Sequence, residues 1–329
     1  MSAARRWLWP LGAAWGAGAA TRAWAYRRGV LRRTRLRGTV ISVGNLAVGG
    51  SGKTPVVALV ASILQAAGCL VAILSRGYGG AFRGPALVVS DGARVDADAA
   101  AAGDEPVMLA WSLPGVIVAV GKRRDEVGRA VEARFGAVVH VLDDGFQHLR
   151  LERDLDVLCL QAGDLADRPL PAGRLREFAS AARRAHVVLV AEGSSQAGLP
   201  EGRVFTLRRR VVGFAGLDGR EGHPPRRVYL LSGIARPGRF AEDASTHGLD
   251  VVRHRAFPDH HRFTAADLRA ASAEAEALGA EAILTTAKDA VRLPAGEARL
   301  PVLVLRIAAE VGDEARFRER LLAAVGRAH

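Results

Sequence analysis

The sequence predicts an α/β protein: a parallel sheet with helices on both faces, a second and smaller α/β unit after it, and an N-terminal membrane-anchor helix before it. Three observations carry this reading. Short β-branched apolar runs alternate with helical stretches along most of the chain. One of those runs passes into a helix through a glycine-rich turn, VGNLAVGGSGKTPVV, from Val43 to Val57. Positive charge and tryptophan are both gathered at the N-terminal end.

The anchor is assigned to residues 1–37. Nine of the 46 Lys and Arg residues and none of the 34 Asp and Glu residues fall there, so of the net charge of +12 only +3 belongs to the rest of the chain. Basicity confined to one end argues against a nucleic-acid footprint. Trp7, Trp9, Trp15 and Trp24 are four of the five tryptophans, and rings beside arginines favour the headgroup layer of an anionic membrane. The uncharged run from Trp7 to Thr21 is shorter than the roughly 20 apolar residues a spanning helix needs. A cleaved signal peptide is the alternative, but export would part a phosphate-loop protein from cytosolic ATP. A segment that inserts into or lies on the cytoplasmic face of a membrane is expected instead.

Residues 38–203 read as the P-loop NTPase-like core. GTVISVG precedes the glycine turn as a strand, and PVVALVASILQAAG follows it as a helix, with Pro55 in its first turn and Gly68 at its end. LVAILS, GVIVAV, AVVHVLDD, LDVLCL and HVVLVA supply further strands. Residues 204–227, with GRVFTLRRRVVGFAGLDG around a glycine turn, are expected to be an extended ribbon between units. Residues 228–329 resume the alternation as the smaller C-terminal α/β domain. A chain of 329 residues, 49% hydrophobic, can fill two such cores. Cys69 and Cys159 sit beside apolar runs, as packed thiols in a reducing compartment do.

The glycine turn has the parts of a phosphate cradle. Gly49, Gly50, Ser51 and Gly52 allow several backbone N–H groups to face one anion at the start of a helix. Lys53 is placed to reach the outer phosphates and Thr54 to hold magnesium, so ATP and Mg2+ are the expected cofactors. The usual pattern asks for glycine where this chain has Ala47.

Acids that could complete the centre occur twice. Asp143 and Asp144 end an apolar strand, where a nucleotide-dependent enzyme places a carboxylate on magnesium, and Gln147 and His148 follow one turn later. Asp104 and Glu105 lie between Gly103 and Pro106, hence in a loop, where Asp104 is read as a general base and Glu105 as a further magnesium contact; a helix cap is the structural alternative. Arg76 and Tyr78 in SRGYGG, Arg124 in VGKRRDEV and Arg176 in LPAGRLREF can meet an anionic or sugar ligand. FPDHHRF brings Asp259, His260 and His261 together, without the third well-spaced ligand a zinc site needs.

Taken in order, VGNLAVGGSGKTP, SRGYGG, GDEP, DDGFQH, LPAGRLRE, SGIARPGRF, FPDHH and TTAKDAVRL resemble the tetraacyldisaccharide 4′-kinases, membrane-bound kinases of lipid A biosynthesis, from the anchor to about Leu293. The resemblance implies phosphorylation, with ATP, of the 4′-hydroxyl of a tetraacylated glucosamine disaccharide 1-phosphate at the cytoplasmic face of the bacterial inner membrane. It implies Asp104 as base with a supporting histidine, His260 or the adjacent His261. Lys53 and Thr54 fall in the nucleotide site, and Glu105, Asp144 and His148 in the magnesium and phosphate neighbourhood. Arg76, Tyr78, Arg124, Asp143, Gln147, Arg176 and His261 are expected near substrate or phosphate. A glycolipid substrate is the implied partner; no nucleic acid and no obligate protein partner are implied. The chain departs from the family at Ala287, where TEKD is common, and at Phe178, where LREP is common.

Two rival classes remain open at this point. A switch or partitioning ATPase would share the loop, though many carry an extra lysine where this chain has Val48. A non-enzymatic membrane adaptor would use the nucleotide only to fix its shape. Turnover that depends on a glycolipid acceptor separates the kinase from both.

Overall fold

The computed structural model describes residues 7–49 and 52–326. Gly50 and Ser51 of the expected phosphate cradle, and residues 1–6 of the expected anchor, lie outside them. In chain order the elements are helix α1 (Trp9–Arg27), strand β1 (Val40–Asn45), α2 (Lys53–Ala66), β2 (Val71–Ser75), β3 (Leu87–Asp91), α3 (Ala99–Ala102), α4 (Asp104–Ser112), β4 (Ile117–Val120), α5 (Arg124–Phe135), β5 (Val139–Asp143) and β6 (Leu155–Leu160). There follow β7 (Val187–Ala191), β8 (Val204–Gly216), β9 (Glu221–Gly222), β10 (Arg227–Ser232), α6 (Pro237–Thr246), β11 (Asp250–Ala256), α7 (Ala265–Ala277), β12 (Ala282–Thr286), α8 (Ala287–Ala290), β13 (Val302–Val311) and α9 (Glu314–Val325).

The thirteen strands form one sheet, in the order β11-β10-β12-β13-β8-β7-β6-β1-β5-β2-β4-β3, with β9 against β8. Most neighbours are parallel; β3 with β4, β8 with β13 and β8 with β9 are antiparallel. The expected parallel sheet is therefore mixed. Strands β1, β2, β4, β5 and β6 are buried along their whole length, as strands covered on both faces must be, which is why they read as unbroken apolar runs.

Residues 204–216 bridge the two halves through the sheet itself. β8 pairs with β7 through Val204–Leu207 and with β13 from Leu207 to Gly216. The chain then crosses back, since Phe317, Leu321 and Ala324 of α9 join the same buried cluster as Val56, Val57 and Val60 of α2. In the second half, Tyr229, Leu231, Leu268 and Ile283 form a separate core under α7. That helix begins at a capping box in which Thr264 and Asp267 satisfy each other's backbone N–H.

Helix α1 is the N-terminal element expected from the tryptophans. Among the described residues no helix is long and apolar enough to cross a membrane. The helix instead lies on the protein through Gly12, Gly16 and Ala23, which are buried, while Trp7, Leu11, Trp15 and Trp24 stay exposed.

Candidate active site

The site forms where β1, β2 and β5 end at one edge of the sheet, the usual place for ligands in a parallel sheet. β1 runs out at Asn45, and its chain climbs through the glycine turn into α2. Gly49 and Gly52 have φ of 102° and 70°, a backbone shape that glycine adopts without strain, and Gly52 sits at the N-cap of α2. Three N–H groups at that helix start are thus available to an anion in the direction favoured by the helix dipole.

Lys53 turns back across the loop. Its Nζ donates to Asn45 Oδ1 at 3.0 Å and lies 3.2 Å from Asp144 Oδ1. Arg176 Nη1 donates to the other oxygen, Asp144 Oδ2, at 2.8 Å and to Gln147 Oε1 at 3.2 Å. Gln147 Nε2 closes the group by donating to the Asn45 carbonyl at 2.9 Å. Burial alone would raise the Asp144 carboxyl, but Lys53 and Arg176 outweigh it and hold the group below the usual carboxylate range. Asp144 also has φ of 55°, uncommon for a residue with a side chain.

Asp143, the last residue of β5, points the opposite way into the protein and accepts from Ser75 Oγ at 2.9 Å. Burial, with Asp144 beside it, pushes its carboxyl up. Glu105 is raised too, by burial and then by Asp143, against the pull of Lys288, Lys53 and His260. Lysines from both halves of the chain therefore act on one carboxylate.

Asp104 and Glu105 were expected in a loop; they are the first two residues of α4. Gly103, with φ of 90°, takes the cap position, and Pro106 is tolerated in the first turn. A Cβ on Gly103 would stand 2.3 Å from the Tyr78 carbonyl, so the glycine lets the SRGYGG turn lie directly against the start of α4.

From the second half, His260 Nδ1 reaches Asp104 Oδ2 at 2.9 Å. Its Nε2 is 3.3 Å from Lys288 Nζ, which also donates to Asp259 Oδ1 at 3.1 Å. An ammonium only donates and a carboxylate only accepts, so these two contacts are met together when the ring donates from Nδ1 and accepts at Nε2, with Asp259 Oδ2 a further 3.8 Å neighbour of Nε2. His260 has φ of 61°, and Tyr78 meets its ring edge-on at 5.7 Å between centroids. Arg292 Nη1 lies 3.5 Å from the same Asp104 oxygen, and its guanidinium also pairs with Asp289 and donates to the His261 and Gly233 carbonyls.

The remaining expected residues divide. Thr54 and Glu105 line a cleft of about 730 Å³ between the halves, together with Arg208, Arg236, Arg239 and Lys288. Arg124 is buried, donates to the Lys122 carbonyl and lies close enough to Asp143 and Asp144 to feel both charges. Arg76 is exposed after β2, and Tyr78 is 74% exposed beside His260. His148 faces Asp125 at 4.0 Å rather than Asp144, and burial followed by the Arg124 charge lowers it to about 4. His261 pairs with Asp267 at 3.1 Å and stacks on Phe257, so it does not meet Asp104. Asn45, Ser75 and Arg292 were not singled out from sequence, although Asn45 stands inside the glycine turn and Arg292 at the end of TTAKDAVRL.

Magnesium fits this donor set. Asp144 and Glu105 carboxylates with the Thr54 hydroxyl are hard oxygen ligands, and a phosphate-bound magnesium ion needs only one or two carboxylates from the protein. Asp144 Oδ1 is buried, with the Lys53 ammonium 3.2 Å away as its neighbour. Among the described residues no three His, Cys, Asp or Glu side chains form an all-protein metal cage.

Comparison with known proteins gives the following. The family model described as tetraacyldisaccharide-1-P 4′-kinase matches residues 4–326. A relative named tetraacyldisaccharide 4′-kinase from Anaeromyxobacter sp. (strain K) is 44% identical over 312 residues, covering 88% of this chain and 82% of its own. Another of that name, from Geobacter metallireducens, is 41% identical over 292 residues, covering 86% of each. Among solved structures, LpxK from Aquifex aeolicus in complex with ATP superposes with a TM-score of 0.84 at 32% identity, covering 98% of this chain and 99% of that one.

Proposed function

Because this chain belongs to the tetraacyldisaccharide-1-P 4′-kinase family, we propose that it moves the γ-phosphoryl group of ATP onto the 4′-hydroxyl of a tetraacylated glucosamine disaccharide 1-phosphate. The observation that carries this reading is the approach of two charge groups from different parts of the fold. The Lys53–Asp144–Arg176 group lies at the glycine turn and the Asp104–His260 pair at the start of α4, and Glu105, next to Asp104, feels the charges of both Lys53 and His260. A phosphate centre alone would suit a switch protein. A carboxylate held by a histidine beside it is what an acceptor hydroxyl requires.

Each residue then has a task. The α2 N-terminus and Lys53 neutralise charge on the outer phosphates. Asp144, Glu105 and Thr54 would hold Mg2+, which would supply charge neutralisation in the transition state. Asp104 accepts the proton of the 4′-hydroxyl while that oxygen bonds to the γ-phosphorus and the bond to the ADP oxygen breaks. His260, through its Nδ1–H, fixes the Asp104 carboxylate so that a lone pair stays directed at the acceptor. Arg176 and Arg124 meet phosphate oxygens, and Arg76, Tyr78 and Gln147 border the acceptor. We assign residues 38–203 as the nucleotide-binding unit and 228–329 as the unit that brings His260.

The N-terminal segment supports work at a lipid surface. Trp7, Trp9, Leu11, Trp15 and Trp24 are exposed along it, and exposed Val30 and Leu31 follow among Arg27, Arg28, Arg32 and Arg33. Such a patch suits a helix lying on the cytoplasmic face of the bacterial inner membrane, where the acylated acceptor resides.

Incubation of the purified protein with γ-labelled ATP, Mg2+ and the disaccharide acceptor tests the reading. Label should appear at the 4′-position, and nucleotide turnover should require the acceptor. ATP hydrolysis at the same rate without acceptor would favour an ATPase instead.

A further inference from the structure

Helix α1 does more than present tryptophans. Its buried side lies on the segment 168–178, which carries Arg176. A Cβ on Gly12 would come within 2.8 Å of the Pro169 carbonyl oxygen and 2.9 Å of Ala172 Cβ, and one on Gly16 within 2.6 Å of the Phe178 ring. Contact this close with the Pro169 backbone leaves room for glycine alone at position 12, and a Cβ at position 16 would have to displace the Phe178 ring. Trp9 receives the Arg168 guanidinium over its ring at 5.1 Å. Between the two glycines, Trp15 Nε1–H donates to the Arg176 carbonyl at 3.0 Å. About two turns beyond Trp15, Arg22 Nη1 reaches the Gln147 carbonyl at 3.4 Å.

The held segment is itself part of the phosphate centre. Residues 174–176 run antiparallel beside 46–48, with Val48 N–H donating to the Arg174 carbonyl and Arg176 N–H to the Leu46 carbonyl, each at 2.8 Å. Leu46 to Val48 are the entry to the glycine turn. The Arg176 side chain then bonds Asp144 and Gln147. The two backbone carbonyls that α1 grips thus belong to two residues of the group around Asp144.

Resting on the reading of Arg176 and Asp144 as phosphate-centre residues, we propose that Trp15 is a positioning residue and α1 a brace. Docking of the helix sets the backbone of Arg176 and, with it, where the Arg176 side chain meets Asp144 and Gln147. The helix therefore contributes to the rate of transfer even where no membrane is present, separately from any lipid binding.

The test uses the full chain with acceptor dispersed in detergent, so that vesicle attachment does not enter. Trp15→Phe keeps a six-membered aromatic ring but removes the indole N–H together with the pyrrole part of the side chain; loss of the hydrogen bond to the Arg176 carbonyl should lower kcat about three- to tenfold, with KM for ATP within about twofold of the parent. Gly16→Val, which forces the helix off Phe178, should lower kcat further. Should that variant fail to fold, Trp15→Phe still decides the question. In a double-mutant cycle, Trp15→Phe should add less than about twofold on an Arg176→Ala background, because both act through one side chain. Parental kcat in Trp15→Phe, or a full and additive effect alongside Arg176→Ala, would overturn the brace while leaving the phosphate centre standing. Parental kcat in Arg176→Ala alone would overturn the reading on which the brace rests, and the brace with it.

Discussion

His260 Nδ1 lies 2.9 Å from Asp104 Oδ2, although 156 positions separate the two residues along the chain. The contact joins the start of α4 to the loop after β11, so the Asp104 carboxylate is held by the opposite half of the molecule.

Asp104→Ala should lower kcat by roughly 10²–10⁴-fold, the usual contribution of a general base, with ATP affinity little changed. His260→Ala should cost less, since it removes the support and leaves the carboxylate. Steady-state kinetics with calorimetric nucleotide titration would check both. Lost ATP affinity with near-parental turnover at saturation would move Asp104 into the nucleotide site.

Lys53→Ala should abolish measurable transfer while leaving the circular dichroism spectrum unchanged. Lys53 partners Asp144 and Asn45 and, on the proposed reading, neutralises phosphate charge, so its loss would remove both functions at once. Parental turnover in this variant would show that the glycine turn is not a working phosphate loop.

Asp143→Asn should melt higher than the parent at pH 8 and transfer phosphate more slowly. The Asp143 carboxyl is raised by burial, so in the folded protein its ionised form is disfavoured. The stability it gives as a neutral acid is complete below the ordinary carboxylate pKa and is lost as pH rises through the raised folded value. The melting gap should therefore close on acidification to below the ordinary carboxylate range. A gap that persists there would count against a buried charge as its cause.

His148 gives the opposite sign. Lowered from 6.5 to about 4, it contributes stability that is complete above the unfolded value and lost as pH falls from 6.5 towards 4. The full contribution is on the order of 3 kcal/mol. His148→Gln should flatten the denaturant midpoint across that interval. An unchanged slope would mean that His148 gains solvent when it charges.

Removal of residues 1–26 should weaken sedimentation with anionic vesicles and slow turnover of a bilayer-embedded acceptor. Basic residues near an anionic surface contribute about 1 kcal/mol each, and salt screens them. Undiminished vesicle binding by the shortened chain would remove the anchor.

The glycine turn and the aspartates after β5 were legible in the sequence because each is a local pattern: strand, turn and helix start, or acid at the end of an apolar run. The alternation of elements was legible for the same reason. What escaped was set by distant contacts. Asn45 matters through Lys53 and Gln147, and Arg292 through Asp104, pairings that no local spacing reveals. The choice between His260 and His261 depended on a loop turning through φ of 61°. The two glycines of α1 read as small residues in an apolar run until the 168–178 segment is seen against them. The antiparallel union of β8 with β13 likewise joins residues about a hundred positions apart.

That union decides how the molecule can move. The halves are joined by a thirteen-residue strand whose ladder is continuous from β7 to β13, interrupted by a register shift where Val212 has no partner between Val211 and Gly213. A free hinge would swing without resistance, whereas this connection must be twisted, and the bulge is where an antiparallel ribbon bends most readily. The molecule is built like a leaf spring. Any change in the separation of His260 from Asp104 must therefore be taken up in the paired strands as well as at the contact itself.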